Sequence, residues 1–181
     1  MDKLNTGILI GTMLLDHFIM TFAIIILVAP GMVSDMVQTF GDSDTQPKLF
    51  LGNYYLNILA FSLYCNKDIF LGRSPAKRIL GHQIVDVKTN KTANPLRCLV
   101  RNITTVLWPI EVIVAIINTE RRIGDFIAGS RLTTYDRERH ESQPSWIQIV
   151  LALILGMLIT YLTTFYPVEL LLKNSGLAFA W

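Results

Sequence analysis

The stretch "ILIGTMLLDHFIMTFAIIILVA", residues 8–29, decides the reading of this chain. It holds one formal charge, Asp16, near its middle. At about 1.5 Å per residue, a helix of this length reaches roughly 33 Å, enough to cross the hydrocarbon core of a bilayer. Pro30 and Gly31 follow and are expected to stop it. The run is read as a span and not as a signal peptide. It is too long, it carries Asp16, and no small-residue cleavage site follows.

The rest of the chain agrees with that reading. Of 181 residues, 51% are hydrophobic and only 17% charged, against about 25% charged in ordinary soluble domains. The charge is also unevenly placed. Thirteen of the 16 Lys and Arg fall between Lys67 and Arg139, leaving only Lys3, Lys48 and Lys173 elsewhere. A small polytopic membrane protein with one basic, water-facing side has this layout. Interspersed acids and the apolar context argue against nucleic acid as a partner and for contact with anionic lipid.

Three more apolar runs follow, Leu49–Cys65, Leu99–Ile117 and Trp146–Phe165. The expected fold is therefore an all-α polytopic membrane protein with three to four transmembrane helices. Basic loops favour the cytoplasm, which puts the N-terminus inside. The acidic "GMVSDMVQTFGDSDTQPK" (31–48) then lies outside, and the second helix returns. "QIVDVKT" (83–89) alternates as a strand and "NKTAN" (90–94) reads as a turn, giving a short cytoplasmic β-hairpin-like segment. Asn94 is the expected N-cap of the next helix, with Pro95 at its first position.

The third run is flawed. It contains Arg101, Asn102, Pro109 and Glu111, and both its flanks are basic. A proline inside a helix removes a donor and clashes one turn back. A broken or re-entrant element near Pro109 is favoured over a full span, provided protein or water satisfies the freed backbone. The expected organisation is a membrane domain over 1–145, then an additional helix and amphipathic tail over 146–181, the tail lying on the membrane or a partner.

A carboxylate at the centre of a membrane helix costs about 2.5–3.5 kcal/mol on insertion scales and normally faces a bundle interior or wet cavity. Asp16 is about 12 Å along the first helix. Asn57 falls at a similar depth on the second helix, with Asn53 one turn away on the same face. Together they would make an oxygen-rich pocket for a hard cation such as Na⁺ or a proton-exchange site. The plainer alternative pairs Asp16 with Arg101 or a backbone amide and gives it only a packing role. His17 is read as a packing residue. Glu111 is expected to pair with an arginine or line a cavity. Asp125 is expected to pair with Lys77 or Arg78, as a clamp between two cytoplasmic segments or as a gating pair. Cys65 and Cys98 are read as free thiols. No phosphate loop, metal-ligand spacing or activated nucleophile is present in the sequence, so no cofactor, metal or enzymatic activity is expected.

Two segments, "GRSPAKRILGHQIVDV" (72–87) and "LVRNITTVLWPIEVIVAIINTERRIGDFIAGSRL" (99–132), resemble the signature of the RDD family of small bacterial membrane proteins. The matching positions are Gly72, Ser74, Lys77, Arg78, Gly81, Asp86, Arg101, Asn102, Arg121, Arg122, Asp125, Ala128 and Gly129. The resemblance covers residues 8 to about 133 and leaves the last helix outside. The family is named for an arginine and two aspartates. Asp16 and Asp125 fit the aspartates. The arginine that precedes the first is missing, Ile8-Leu9-Ile10 standing there, and Arg101 is the candidate to replace it in space. The resemblance implies a multi-pass protein of the bacterial inner membrane and a cation/proton antiport through Asp16. A chain with so few helices would then work as a homo-oligomer. The alternative is a membrane scaffold that binds a partner protein or anionic lipid.

Overall fold

The computed structural model describes residues 6–41, 53–118, 121–136 and 144–175. The chain is mostly helical, with one small sheet. Helix α1 runs Thr6–Gly41, α2 Tyr54–Cys65 and α3 Pro75–Ile79. Strand β1 is His82–Asp86. Helix α4, Pro95–Ile103, is followed by a 3-10 turn, Thr104–Leu107, and by α5, Trp108–Ile117. Helix α6 is Ile123–Ala128 and strand β2 is Ser130–Thr134. Helix α7, Trp146–Thr160, passes through a π turn, Tyr161–Phe165, into α8, Tyr166–Ser175.

Among the described residues, two helical stretches have the length and hydropathy to cross a bilayer, Thr6–Gln38 and Trp146–Leu171. Only 17% and 28% of their apolar windows are buried, so these are not core helices of a water-soluble fold. Helix α2 has 12 residues, or about 18 Å, short of the roughly 30 Å core. Among the described residues, two helices thus have the length of a full span.

Pro30 does not end the first helix; it lies inside α1. Its fixed φ near −65° is already helical, and it withdraws one backbone donor. In an apolar setting, breaking the helix there would strand several backbone groups, whereas continuing strands one. The segment expected as an outer turn-rich loop is therefore helical as far as Gly41, and Asp35 on it is buried. Residues 42–52, the rest of that loop and the expected start of α2, lie outside the described residues. The last run also continues past Phe165. Its π turn, in which the Tyr166 amide bonds the Tyr161 carbonyl, comes directly before Pro167, whose ring crowds the carbonyl four residues earlier. The amphipathic tail is helical to Ser175, and 176–181 lie outside the described residues.

The chain divides into two units. One comprises Met1–Met20 and Cys65–Ile154, the other Thr21–Tyr64 and Leu155–Trp181. In the second, Phe165 is fully buried and meets Tyr54 and Phe61 edge-on at 5.1 and 6.3 Å between ring centroids.

The first unit is built on the sheet. Strand β1 pairs antiparallel with β2, from His82↔Thr134 to Asp86↔Ser130. The local hairpin expected after "QIVDVKT" survives only as a bridge from Val85 to Thr92. The main partner is a strand far along the chain, because the polar turn residues 88–91 offer no apolar face to bury against Ile84 and Val85. Leu9 from α1 joins Ile84, Ala93, Cys98, Ala115 and Leu132 in the core. Gly72 takes φ +64°, and a Cβ there would sit 2.7 Å from the Ile84 carbonyl oxygen, which explains a glycine at this close approach.

The flawed third run is indeed broken. Asn94 caps α4, its side chain accepting the Arg97 amide at 2.8 Å, and Pro95 stands in the first turn. The 3-10 turn separates α4 from α5, and Pro109 lies at the start of α5. The backbone changes pitch in the turn before the proline, where its ring demands room.

Candidate functional site

Leu9, Thr12 and Asp16 recur at helical spacing and are buried, so one face of α1 carries the carboxylate inward. Asp16 is 2% exposed. The Ser74 hydroxyl donates to its Oδ1, and the Lys77 ammonium contacts its Oδ2. Lys67 Nζ stands 3.8 Å from the same Oδ2. Ser74 is the N-cap of α3, its Oγ accepting the Lys77 amide at 3.3 Å. One hydroxyl thus both starts α3 and anchors Asp16.

From Asp16 the charges alternate through the first unit. Lys77 Nζ also lies 2.8 Å from Asp68 Oδ1. Asp68 accepts the Ser74 amide at 3.0 Å, Arg101 NH1 at 3.3 Å and Asn102 Nδ2 at 2.9 Å. Arg101 turns its Nε to Asp125 Oδ1 at 2.5 Å and its NH2 to Oδ2 at 3.4 Å. Asp125 further accepts Ser130 Oγ at 2.9 Å and reaches back to the Arg122 amide at 3.4 Å, capping α6. Arg122 gives NH2 to Asn102 Oδ1 at 2.9 Å and NH1 to Glu111 Oε2 at 3.3 Å. Glu111 Oε1 accepts Thr104 Oγ1 at 2.5 Å and the Gly124 amide at 3.1 Å. The order is Asp16, Lys77, Asp68, Arg101, Asp125, Arg122, Glu111. With Lys67 at the Asp16 end, four acids balance four bases, all of them buried.

Burial alone would raise the carboxyl of Asp68. The cations Lys77, Arg101 and Lys67 overcome it and hold that carboxyl far below the usual carboxylate range. Asp125 behaves the same way, burial being outweighed by Arg101 and Arg122. For Lys67 burial wins. The ammonium is pulled down to about 8, opposed by Asp16 and Asp68 and assisted by Lys77 and Arg122.

The close backbone packing under this chain depends on Gly124. A Cβ there would meet the Arg101 carbonyl oxygen at 2.1 Å and Thr104 Oγ1 at 2.5 Å. Only glycine lets α6 press onto the end of α4 and hand its amide to Glu111.

The sequence-derived residues divide as follows. Asp16, Arg101, Glu111, Asp125 and Lys77 belong to the buried chain. Arg101 pairs with Asp68 and Asp125, while Asp16 has the lysines, so a lysine stands where the arginine of the first helix was sought. Asp125 takes arginines instead of Lys77 or Arg78, because its helix packs on α4. Arg78 is exposed and its Nε reaches the Arg73 carbonyl at 3.5 Å. Glu111 pairs with an arginine, Arg122. Asn53 and Asn57 lie in the other unit, where Asn53 Oδ1 accepts the Leu56 amide at 3.2 Å and Asn57 Nδ2 donates to the Asn53 carbonyl at 3.1 Å. Cys65 and Cys98 are free thiols. Sequence reasoning did not single out Lys67 and Asp68. Their only signal was "NKD" closing an apolar run, which normally marks a wet helix end. Ser74 and Arg122 had entered only as motif positions, and Asn102 as a motif position and a polar flaw in the third run.

No curated protein and no solved structure matches the chain. A family model does, over residues 10–166, which extends the likeness beyond the two motif segments into the last long helix. That match and the two long, outward-facing apolar helices point to a membrane protein, and the chain belongs to the RDD family.

Proposed function

We propose that the chain is a small transporter that exchanges a monovalent cation for a proton at Asp16. The carrying observation is a buried carboxylate on a membrane-length helix, with one ammonium in contact and a second 3.8 Å away. A small cation such as Na⁺ competes for the same oxygens, since carboxylate oxygens suit hard cations. The buried cluster is neutral, four acids against four bases. If one cation enters at the Asp16 carboxylate, neutrality is kept when one ammonium facing it, on Lys67 or Lys77, gives up a proton, and that is exchange. The basic segments from Lys67 to Arg139 support a cytoplasmic face for this unit and an N-terminus inside, in a bacterial inner membrane. With two helices of spanning length among the described residues, a closed pathway calls for a homo-oligomer.

A second reading has its own support. Both oxygens of Asp16 already have partners, as a clamp in a membrane scaffold would require. Ion-driven pH change in proteoliposomes separates the two, scanned over Na⁺, Li⁺ and K⁺ and repeated with Asp16→Asn. Exchange lost in a variant that still folds and inserts supports transport. A well-folded wild type with no cation-dependent pH change overturns it and leaves the scaffold.

A further inference from the structure

Helices α3 and α6 each present one face to the buried charge chain and the opposite face outward. On α3, Ala76 and Lys77 are buried while Arg78 is exposed and Ile79 is 70% exposed. On α6, Gly124 and Asp125 are buried, while Phe126 and Ile127 are 51% and 62% exposed. Arg121 places its guanidinium carbon 5.8 Å from the Phe126 ring centroid. Short helices with large apolar side chains outward are unstable in water but suit the boundary between headgroups and acyl chains.

The charges left on these segments have one sign. From Phe70 to Leu80 the charged residues are Arg73, Lys77 and Arg78; from Arg121 to Gly129 they are Arg121, Arg122 and Asp125. Lys77, Arg122 and Asp125 are consumed in the buried chain. Arg78 is exposed, and Arg73 and Arg121 are half-buried, the Arg73 guanidinium carbon lying 3.9 Å from the Tyr135 ring centroid; the one acid of these two segments, Asp125, is buried. Arginines beside outward Ile and Phe can bury their stems in the apolar layer and keep their heads among phosphates.

We infer that the outer faces of α3 and α6 form an interfacial anchor that binds anionic phospholipid headgroups through Arg73, Arg78 and Arg121. The buried salt-bridge chain fixes the helices from within, so the anchor is rigid. This holds whether or not Asp16 exchanges ions.

The test uses the full chain with Cys65 and Cys98 replaced, reconstituted in phosphatidylcholine vesicles with or without phosphatidylglycerol. Nitroxides at Ile79→Cys and Ile127→Cys report depth from collisions with oxygen and with a water-soluble nickel complex. Spin-labelled phosphatidylglycerol and phosphatidylcholine report lipid selectivity. Both nitroxides should lie at the headgroup boundary, and the anionic lipid should be preferred on the order of tenfold. The preference should vanish when all three arginines become Gln and return when they become Lys. Labels freely exposed to the nickel complex, or shielded from both lipid and water by another protein surface, would overturn the anchor. So would a preference that survives the Gln variant.

Discussion

Lys77 lies between two carboxylates, touching Asp16 of the first helix and standing 2.8 Å from Asp68 of the loop after the second. One ammonium therefore ties segments far apart in sequence. Replacing it with methionine keeps the stem and removes the charge, leaving two buried carboxylates short of a partner. Breaking a buried pair from one side typically costs about 3–5 kcal/mol. Lys77→Met should lower the melting temperature in detergent far more than Arg78→Met, one residue along and exposed. Equal shifts would show that the ion chain does not hold this unit.

Asp68 and Asp125 share Arg101. Residues joined through one network couple instead of adding. Asp68→Asn and Asp125→Asn should each destabilise by about 2–4 kcal/mol, and the double variant by clearly less than their sum. Strict additivity in chemical denaturation would mean that the two carboxylates act separately.

The two carboxyls also set an acid limit. Each is depressed in the folded chain below its ordinary value of 3.8. A depressed carboxyl contributes stability that is complete above the unfolded pKa and is lost as pH falls through the folded value. The melting temperature should therefore be insensitive to these groups from neutrality down to about pH 5, then fall steeply below about pH 4. A loss of stability centred near pH 6 would point to histidine instead.

Gly124 and Gly129 make a paired test of packing against backbone conformation. At Gly124 a methyl group would run into the Arg101 carbonyl oxygen at 2.1 Å, a rigid backbone atom. At Gly129 the space is open but φ is +60°. Gly129→Ala should cost about 1–2 kcal/mol, the left-handed penalty. Gly124→Ala should cost several kcal/mol or prevent folding, since α6 must back away and take its amide from Glu111. Tolerance at Gly124 would refute the close α4–α6 approach.

Several elements were legible in the sequence for physical reasons local to each. The first and last runs are long and apolar, so their helices could be read from length alone. Asn94-Pro95 wrote the start of α4, because a cap and a proline act within one turn. The break before Pro109 followed from a ring that cannot share its turn. One local signal misled. Pro30 looked like a stop, but it removes one hydrogen bond from a helix that loses more by ending.

By itself the sequence determined an apolar, mostly helical chain with a buried acid on its first long helix and RDD motifs in its middle. Those properties come from composition, periodicity and short spacing, which need no partner to be read. The tertiary structure alone decided what each charge meets. Asp16 faces Lys77 and Ser74, Arg101 spans Asp68 and Asp125, and β1 pairs with β2. Ion pairing has no period and no fixed separation along the chain. Any of several bases could neutralise Asp16, and the choice fell to the packing of α3, α4 and α6 around one buried, neutral cluster.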